Sequence, residues 1–290
     1  MRFSLTIAAF AFFVLATSST VSARTRAGQL CGTNKPVNRT LEAQLAPIIA
    51  SEKSKEDSQR GRPRNIKVYA HVISNGTRGK IPLSRVKKQI SVLNKDYYSA
   101  NYHFSLVSTS YTSKPAWYGV IDGDTNKIGL QMRKALYKGG KDTLNIYITN
   151  LSRGLLGFAA FPWLYNTTGS PAWADGVVLH TQTLPSSNST SFAPFNLGRT
   201  ATHEVGHWLG LYHPFQGESC DVSNPGDYIA DTPLQLDPTF GCPASKNSCP
   251  SAGNDVIHNF MDYSDDSCMQ SFTRGQKTRM HAISTKFRGL

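Results

Sequence analysis

The chain has 290 residues, of which 39% are hydrophobic and 17% charged, and this composition excludes a disordered polymer. The length suits a processed N-terminal segment followed by one sizeable domain or two small ones. The net charge of +12 is compatible with a nucleic-acid partner, but no basic helix, aromatic-interleaved basic stripe or nucleic-acid motif accompanies it. We therefore expect no nucleic-acid partner.

Residues 1–23 have the pattern of a secretory signal peptide. A positive start at Arg2 precedes an apolar run from Leu5 to Ala16, and small residues end the segment at Ala23. The run is too short to cross a bilayer, and no later stretch approaches the ~20 apolar residues that a transmembrane helix needs. We expect an extracellular protein without a membrane span, in which disulfides are permitted.

Residues 24–64 are predicted to be a pro-segment. The stretch 53–64 is polar and charged without a core-forming pattern, which favours a linker and a cleavage region. Of the five cysteines, Cys31 stands alone in this segment, and an unpaired cysteine in a secreted chain calls for its own explanation.

Strands and helices alternate after residue 64. The periodicity predicts strands at 65–73, 102–107 and 144–148, a helix from Ser84 to about Ser99, and a helix capped at Asp124-Thr125 that runs to Tyr137. Short strands are predicted at 155–161 and 176–180, and 185–194 is a loop. This order indicates an α/β layer, and an edge strand ahead of the next helix suits a peptide bound by strand addition.

The sequence from His203 to His213 has the form H-E-x-x-H-x-x-G-x-x-H. His203 and His207 share one face of a helix, and Gly210 allows the sharp turn that brings His213 to the same point. Three imidazoles with one open position form the ligand set of a catalytic zinc. Glu204 is placed to act on a water there as general base, as in a zinc peptidase.

Two other functions remain open at this point. The protein could be a secreted binding or effector module with a vestigial site, although the intact Glu204 argues against that. The zinc could also be purely structural, but structural sites are usually closed by cysteines. Cys31, as a thiolate, could be the further ligand that keeps a precursor latent, or it could be a free or intermolecular thiol.

The region after His213 is irregular and rich in Pro, Gly, Asp and Cys, so it needs covalent cross-links. Four cysteines allow three pairings. Asp221, Asp227 and Asp231 are oxygen ligands of the kind that calcium uses, or alternatively solvated loop carboxylates. Thr273 and Gln276 form a capping box that starts a last helix.

A methionine turn follows the histidine motif at residues 259–263, and this combination marks a metzincin. Further matching segments are 226–227, 231–233, 241–243, 268–269 and 272–276. With these, residues 65–290 resemble the pappalysin family, in particular its small secreted members from fungi and microbes.

The resemblance implies an α+β metzincin fold. Its upper part, here 65–213, would hold a five-stranded twisted sheet, an α/β-like layer and the long active-site helix. Its lower part, 214–290, would be an irregular, disulfide-stapled C-terminal subdomain with the methionine turn and a C-terminal helix. The function implied is a secreted zinc-dependent endopeptidase acting on proteins and peptides, with one catalytic zinc. The sequence leaves the oligomeric state undefined.

The resemblance also implies roles for particular residues. Zinc would be bound by His203, His207 and His213 above Met261, and Tyr263 would stabilise the oxyanion. The disulfides would be Cys220–Cys249 and Cys242–Cys268. A structural calcium would involve Asp221, Asp227, Asp231 and Thr232.

Some relatives prefer a basic residue after the scissile bond through an acid near the last cysteine, but Ser267 precedes Cys268 here. An arginine preference is therefore not expected from this position. Possible glycan sites in N-x-S/T sequons are Asn38, Asn75, Asn150, Asn166 and Asn188.

Overall fold

The computed structural model describes residues 30–33, 35–56, 63–187, 190–224, 226–250 and 253–290. The predicted signal peptide at 1–23 and the sequon at Asn188 lie outside the described residues. In these described parts of the chain, no helix is long and apolar enough to cross a membrane.

The structure contains the following principal elements in chain order: α1 (Arg39–Glu56), β1 (Arg64–Ser74), α2 (Leu83–Asp96), β2 (Tyr102–Ser113), α3 (Lys127–Leu136), β3 (Thr143–Thr149), β4 (Gly157–Ala159), β5 (Val177–His180), α4 (Arg199–Trp208) and α5 (Arg274–Ile283). A π-helical turn, Ser284–Arg288, follows α5. Every strand and helix predicted from the sequence between residues 65 and 180 is present, with bounds shifted by a few residues. The strand predicted at 102–107 is longer and ends at Ser113.

The five strands form one sheet in the order β2-β1-β3-β5-β4. The pairs β1–β2, β1–β3 and β3–β5 are parallel, whereas β4 pairs antiparallel with β5 and forms one edge of the sheet. Every residue of β3 and of β5 is buried, as expected for central strands covered on both faces. The sheet and its helices give the α+β class that the sequence predicts.

Helix α3 begins differently from the prediction. Its N-cap is Asn126, whose side-chain oxygen accepts hydrogen bonds from the backbone N–H groups of Ile128 and Gly129, each at 3.0 Å. Asp124 lies ahead of the helix and pairs with Lys35 at 2.6 Å. The prediction of a cap at Asp124-Thr125 was therefore wrong. Asn126, which directly follows Thr125, satisfies the free amides of the first turn equally well.

The histidine-bearing helix α4 is short, with 10 residues, nine of which are buried. Residues near the C-terminus of the chain fix the last turn of α4 in place. Arg288 forms a buried ion pair with Asp175 and donates to the Trp208 carbonyl oxygen at 2.8 Å, while the Trp208 indole donates to Asp175 at 3.0 Å. A buried pair of this kind is costly to break, so it fixes the end of α4 against the sheet.

Within the described residues, the chain between α4 and α5 has no regular strand or helix. Disulfides join Cys220 to Cys249 and Cys242 to Cys268, the pairing implied by the family resemblance. Helix α5 starts with the predicted capping box, in which Thr273 and Gln276 satisfy each other's backbone amides.

The pro-segment region is more regular than the sequence suggested. Helix α1 runs through Glu56, so residues 53–56 extend a helix instead of forming a linker. The helix lies against α5 and buries Leu45 completely. Tertiary contact of this kind stabilises a helix whose own sequence shows little amphipathic pattern.

Candidate active site

Three imidazoles converge at the end of α4. Their Nε2 atoms, from His203, His207 and His213, lie 3.1 Å from one another. Gly210 makes the convergence possible, since its φ of 100° turns the chain sharply after the helix. A tetrahedral zinc with bonds of about 2.0–2.1 Å separates its nitrogen ligands by about 3.3 Å. The three histidines therefore fit a zinc ion.

The outer ring nitrogens of two histidines are held by backbone carbonyl groups. His203 Nδ1 lies 2.9 Å from the Phe260 oxygen and His207 Nδ1 lies 2.8 Å from the Leu211 oxygen. These contacts direct the Nε2 lone pairs toward the shared point. Burial lowers the pKa of His203 to about 4, and burial together with the neighbouring histidines lowers the pKa values of His207 and His213 well below their ordinary value. All three rings are thus neutral, the form that binds metal.

Glu204 is fully buried beside this point. Its Oε2 accepts a hydrogen bond from the Thr33 hydroxyl at 3.2 Å, and its Oε1 makes no well-formed hydrogen bond to the described residues. Burial raises the pKa of the carboxyl to about 8. A side chain at Gly157 would come within 2.9 Å of the Glu204 Cγ, so the glycine leaves room for the carboxylate. A carboxyl in such surroundings is poised to exchange protons near neutral pH.

Met261 lies directly beneath α4. A Cβ atom at Gly206 would overlap the Met261 sulfur, so the helix and the methionine turn approach each other only because residue 206 is glycine. The turn itself is held by Asn259, which accepts from the Met261 N–H at 2.9 Å and exchanges two hydrogen bonds with Gln276. The sequence analysis assigned no role to Asn259, although it is the first residue of the matched turn.

Tyr263 places its hydroxyl 3.3 Å from His213 Nε2, at the same buried point. Its ring packs on Phe215, with centroids 4.9 Å apart. Burial raises the pKa of the phenol well above its ordinary value, which keeps the proton on the oxygen. The hydroxyl is therefore a hydrogen-bond donor at the site. Asp262 orients the turn by accepting from the Thr239 and Tyr263 amides, each at 2.8 Å.

Cys31 reaches the same point from the pro-segment. Its sulfur lies 3.5 Å from His207 Nε2, and together with the three histidines it forms a buried group of metal-ligating atoms within 4.8 Å of one another. Burial raises the pKa of the thiol, and the charge of Glu204 adds to this. A divalent cation reverses that balance, because a coordinating thiol is deprotonated.

Residues 30–33 run alongside β4. The N–H of Gly32 donates to the Gly157 oxygen at 2.9 Å, and the Leu156 N–H donates to the Leu30 oxygen at 2.9 Å. The bridge between Cys31 and Gly157 is parallel. The Thr33 hydroxyl also accepts from the Ala159 N–H at 2.7 Å. Residues 30–33 therefore add a short parallel strand to the edge of the sheet formed by β4. The sequence analysis missed Thr33.

The four predicted calcium ligands do not lie together. Asp227 is buried, and its Oδ1 accepts from the Thr232 hydroxyl at 2.7 Å. Asp231 accepts from the Thr273 hydroxyl and the Gly275 N–H at the start of α5, and Asp221 closes a local turn with Ser223. Of these four residues, Asp227 alone has a buried carboxylate oxygen, Oδ2, without a hydrogen-bond partner among the described residues.

A small cavity of about 30 Å³ lies beside His203 and Glu204. Its apolar lining comes from Leu30, Leu156, Phe195 and Met269. Ser267 does not line it and is exposed.

Asp266 contributes a carboxylate to the cavity wall, but that group accepts from the Leu197 and Arg199 amides at 2.7 and 3.2 Å. Burial raises its pKa to about 6. The acid is thus engaged in holding the loop that leads into α4, a role that the sequence analysis did not assign.

Three histidines with neutral rings, a buried glutamate between them and the sheet edge, and a methionine turn beneath define a zinc metallopeptidase site of metzincin type. Comparison with known proteins specifies the family. The model of peptidase family M43, described as pregnancy-associated plasma protein-A, matches residues 131–284. The chain belongs to this family, the pappalysins, as the sequence motifs predicted.

Similar proteins span nearly the whole chain. Extracellular metalloprotease 1 of Coccidioides posadasii is 38% identical over 291 residues, which cover 99% of both chains. An extracellular metalloprotease of Verticillium alfalfae is 41% identical over 270 residues, covering 89% of each chain. Mature mirolysin of Tannerella forsythia, solved in complex with a cleaved peptide, has a TM-score of 0.65 and 29% identity, over 79% of this chain and 97% of that chain. The metzincin fold and metalloendopeptidase function are thereby confirmed.

Replacing Gly206 by alanine tests the contact between α4 and Met261. The added methyl group overlaps the methionine sulfur, so the buried Met261 side chain or the helix must shift. We expect a loss of about 1–3 kcal/mol in unfolding free energy, together with weaker zinc retention. Thermal unfolding and zinc content after dialysis measure the two effects.

Gly140→Ala is the matched control, because a Cβ there meets its nearest atom at an ordinary 3.5 Å. Equal behaviour of the two variants would show that the close approach has no energetic importance.

Proposed function

We propose that the chain is secreted as a latent precursor and acts outside the cell as a zinc metalloendopeptidase on protein and peptide substrates. The observation that carries this proposal is the convergence of three neutral imidazoles on one point beside a buried glutamate. The signal-peptide pattern and the names of the extracellular relatives support secretion. Nothing in the site favours a vestigial protein, since every residue of the motif is present and oriented.

His203, His207 and His213 would hold a zinc ion, which when bound would supply Lewis acidity and lower the pKa of its water toward 7. Glu204 accepts the proton of the attacking water and passes it to the leaving amine. Its raised pKa suits this exchange at neutral pH. Tyr263, protonated and 3.3 Å from a ligand nitrogen, donates a hydrogen bond to the developing oxyanion.

Substrate binds in extended form along β4, antiparallel to it, and takes the place of residues 30–33. The edge of β4 already pairs with a backbone segment there, so its hydrogen-bonding groups are suitably placed for strand addition. The thiol of Cys31, 3.5 Å from His207 Nε2, completes the ligand group and excludes water from the position that catalysis needs. In this proposal, Cys31 keeps the precursor latent, and maturation requires a cut ahead of the catalytic part, residues 65–290.

A structural calcium and surface glycans complete the proposal. Asp227 is the best-supported calcium ligand, because its Oδ2 is buried without a partner and Thr232 lies next to it. Asp221 and Asp231 would join only by giving up their present hydrogen bonds. Of the sequons, Asn38 and Asn166 are exposed, Asn75 and Asn150 are half-buried, and Asn188 lies outside the described residues.

Glu204→Ala tests the general base. We expect the variant, released from its pro-segment by the same added protease as wild type, to bind zinc and fold normally. Its kcat should fall by roughly 10²–10⁴-fold, since it lacks the proton acceptor. Zinc content, circular dichroism and cleavage of casein with and without chelator measure this. Turnover at the wild-type rate would refute the role of Glu204.

Cys31→Ala tests latency. The side chain is buried against the three histidines, so its removal opens the metal to water without enlarging any residue. We expect the intact variant precursor to cleave peptide faster than the intact wild-type precursor by about tenfold or more. The double variant Cys31→Ala/Glu204→Ala controls for contaminating proteases. A single variant that stays as latent as wild type would remove the cysteine from the mechanism.

Thermal unfolding as a function of pH tests the calcium site. Burial raises the pKa of Asp227 from 3.8 to about 8, so the folded state binds this proton more tightly than the unfolded state. Without calcium, this group makes stability fall as pH rises from about 4 to about 8. Calcium favours the ionised carboxylate and should raise the midpoint most near pH 8.

Asp227→Asn should lose both the pH dependence from this group and the calcium response, and Asp221→Asn serves as the control. A calcium response unchanged in Asp227→Asn would place the ion elsewhere.

The apolar cavity beside Glu204 predicts the substrate preference. Apart from Glu204, its acids Asp262 and Asp266 accept hydrogen bonds from backbone amides, and its apolar lining includes Leu156, Phe195 and Met269. We expect a peptide with leucine next to the scissile bond to be cleaved roughly tenfold faster than the same peptide with arginine, since burial of an aliphatic side chain contributes about 1.5–3 kcal/mol. Cleavage-site profiling on a peptide mixture measures this, and a clear arginine preference would contradict it.

A further inference from the structure

A buried ion pair joins the predicted pro-segment to the catalytic part through residues other than the thiol. Glu42, on α1, accepts two hydrogen bonds from Arg279, on α5, at 2.7 and 2.8 Å. The Tyr212 hydroxyl donates a third to the same carboxylate at 3.0 Å. The side chains of Glu42 and Arg279 are 2% and 1% exposed, so the pair is shielded from solvent.

The catalytic part holds its side of this contact rigidly. Arg279 Nε donates to the Gly210 carbonyl oxygen at 2.9 Å, and its guanidinium lies 5.0 Å from the Tyr212 ring centroid. Gly210 and Tyr212 belong to the histidine motif itself. The site that receives Glu42 is therefore built on the turn that positions His213.

We propose that Arg279, Tyr212 and the Gly210 carbonyl form a docking site for the pro-segment helix, with Glu42 as its key residue. The proposal rests on the proposed function, since it takes residues 24–64 to be a removable pro-segment. It adds a second attachment point, independent of Cys31. Its occupant is α1 of this same chain.

Three observations favour a site specific for this helix. Planar, bidentate pairing of guanidinium and carboxylate selects one geometry. Leu45, one turn after Glu42 on α1, is fully buried, so an apolar contact accompanies the charge. Removal of Glu42 would leave a buried guanidinium without its counter-charge, which is strongly unfavourable.

The docking site determines what happens when the linker is cut. Cleavage between α1 and β1 breaks the covalent connection, but the contacts of Glu42 and Leu45 remain. Two attachments on one segment reinforce each other, because each holds the other at high effective concentration. The cut pro-segment therefore stays bound as a dissociable inhibitor, and activation requires its release from Arg279.

Hydrogen–deuterium exchange of the full precursor tests the docking site directly. The Glu204→Ala background prevents self-cleavage. We expect Glu42→Gln to increase exchange of residues 39–56 by at least about tenfold, since a buried charge-assisted pair is lost.

Glu52→Gln is the matched control, because it removes a carboxylate of the same helix that pairs with Arg64 at 3.2 Å. Unchanged exchange in Glu42→Gln would overturn the proposal.

A second measurement uses precursor cut in the linker by an added protease. The wild-type pro-segment should co-elute with the catalytic part on gel filtration, whereas the Glu42→Gln fragment should separate. If Glu42→Gln precursor is not secreted, a synthetic peptide of residues 36–56 should displace the wild-type fragment, and its Glu42→Gln form should do so at least tenfold less well. Equal displacement by both peptides would also overturn the proposal.

These tests are independent of the thiol. A Cys31→Ala precursor that stays latent removes the proposed switch but leaves the exchange result intact. Conversely, a Cys31→Ala precursor that is active, together with unchanged exchange in Glu42→Gln, preserves the switch and removes the docking site.

Discussion

The sharp turn at Gly210 is the constraint on which the site depends. A helix can present His203 and His207 on one face, but it cannot bring a third imidazole to the same point. The positive φ of Gly210 ends α4 and reverses the chain so that His213 faces the other two. A side chain at residue 210 would also meet Ile283 of α5 at 2.5 Å, so the glycine serves packing as well as conformation.

Burial of so many polar groups must be compensated, and the compensating groups belong to two different parts of the chain. The histidines are neutral and held by backbone carbonyl groups that belong to the catalytic part. Glu204, in contrast, takes its hydrogen bond from Thr33 of the pro-segment. In the proposed maturation, loss of residues 30–33 would leave this carboxyl to water and substrate. Thr33 satisfies one oxygen of the carboxyl, while Oε1 has no hydrogen-bond partner among the described residues.

Local sequence patterns predicted much of this molecule. The zinc residues and Glu204 follow from fixed offsets along one helix and one turn, and the central strands follow from runs of apolar residues. Local pattern could not decide between two nearby residues that are equally suited to cap a helix, as for Asp124 and Asn126 at the start of α3. The bond from Glu42 to Arg279 spans 237 positions, and no local signal identifies such a partner.

Helix α1 is a further element that local sequence patterns did not predict. Its sequence contains Pro47 and little amphipathic pattern, so periodicity alone does not predict it. Its stability comes from tertiary contacts, which sequence spacing does not encode. The calcium residues illustrate the converse case. Chemically suitable side chains lie close in sequence, but the fold directs Asp221 and Asp231 to separate turns and leaves Asp227 buried with Thr232.

In the proposed precursor, the direction of residues 30–33 along β4 disfavours their cleavage. Residues 30–33 run parallel to β4, whereas a productive substrate is proposed to run antiparallel to it. Because residues 30–33 run in the direction opposite to a substrate, the carbonyl and N–H of each of their peptide groups face Glu204 and the histidines in reversed order. The leaving nitrogen is then on the wrong side to receive a proton from Glu204. The same sheet edge can therefore bind substrate for hydrolysis and bind the pro-segment without hydrolysing it, with strand polarity as the difference.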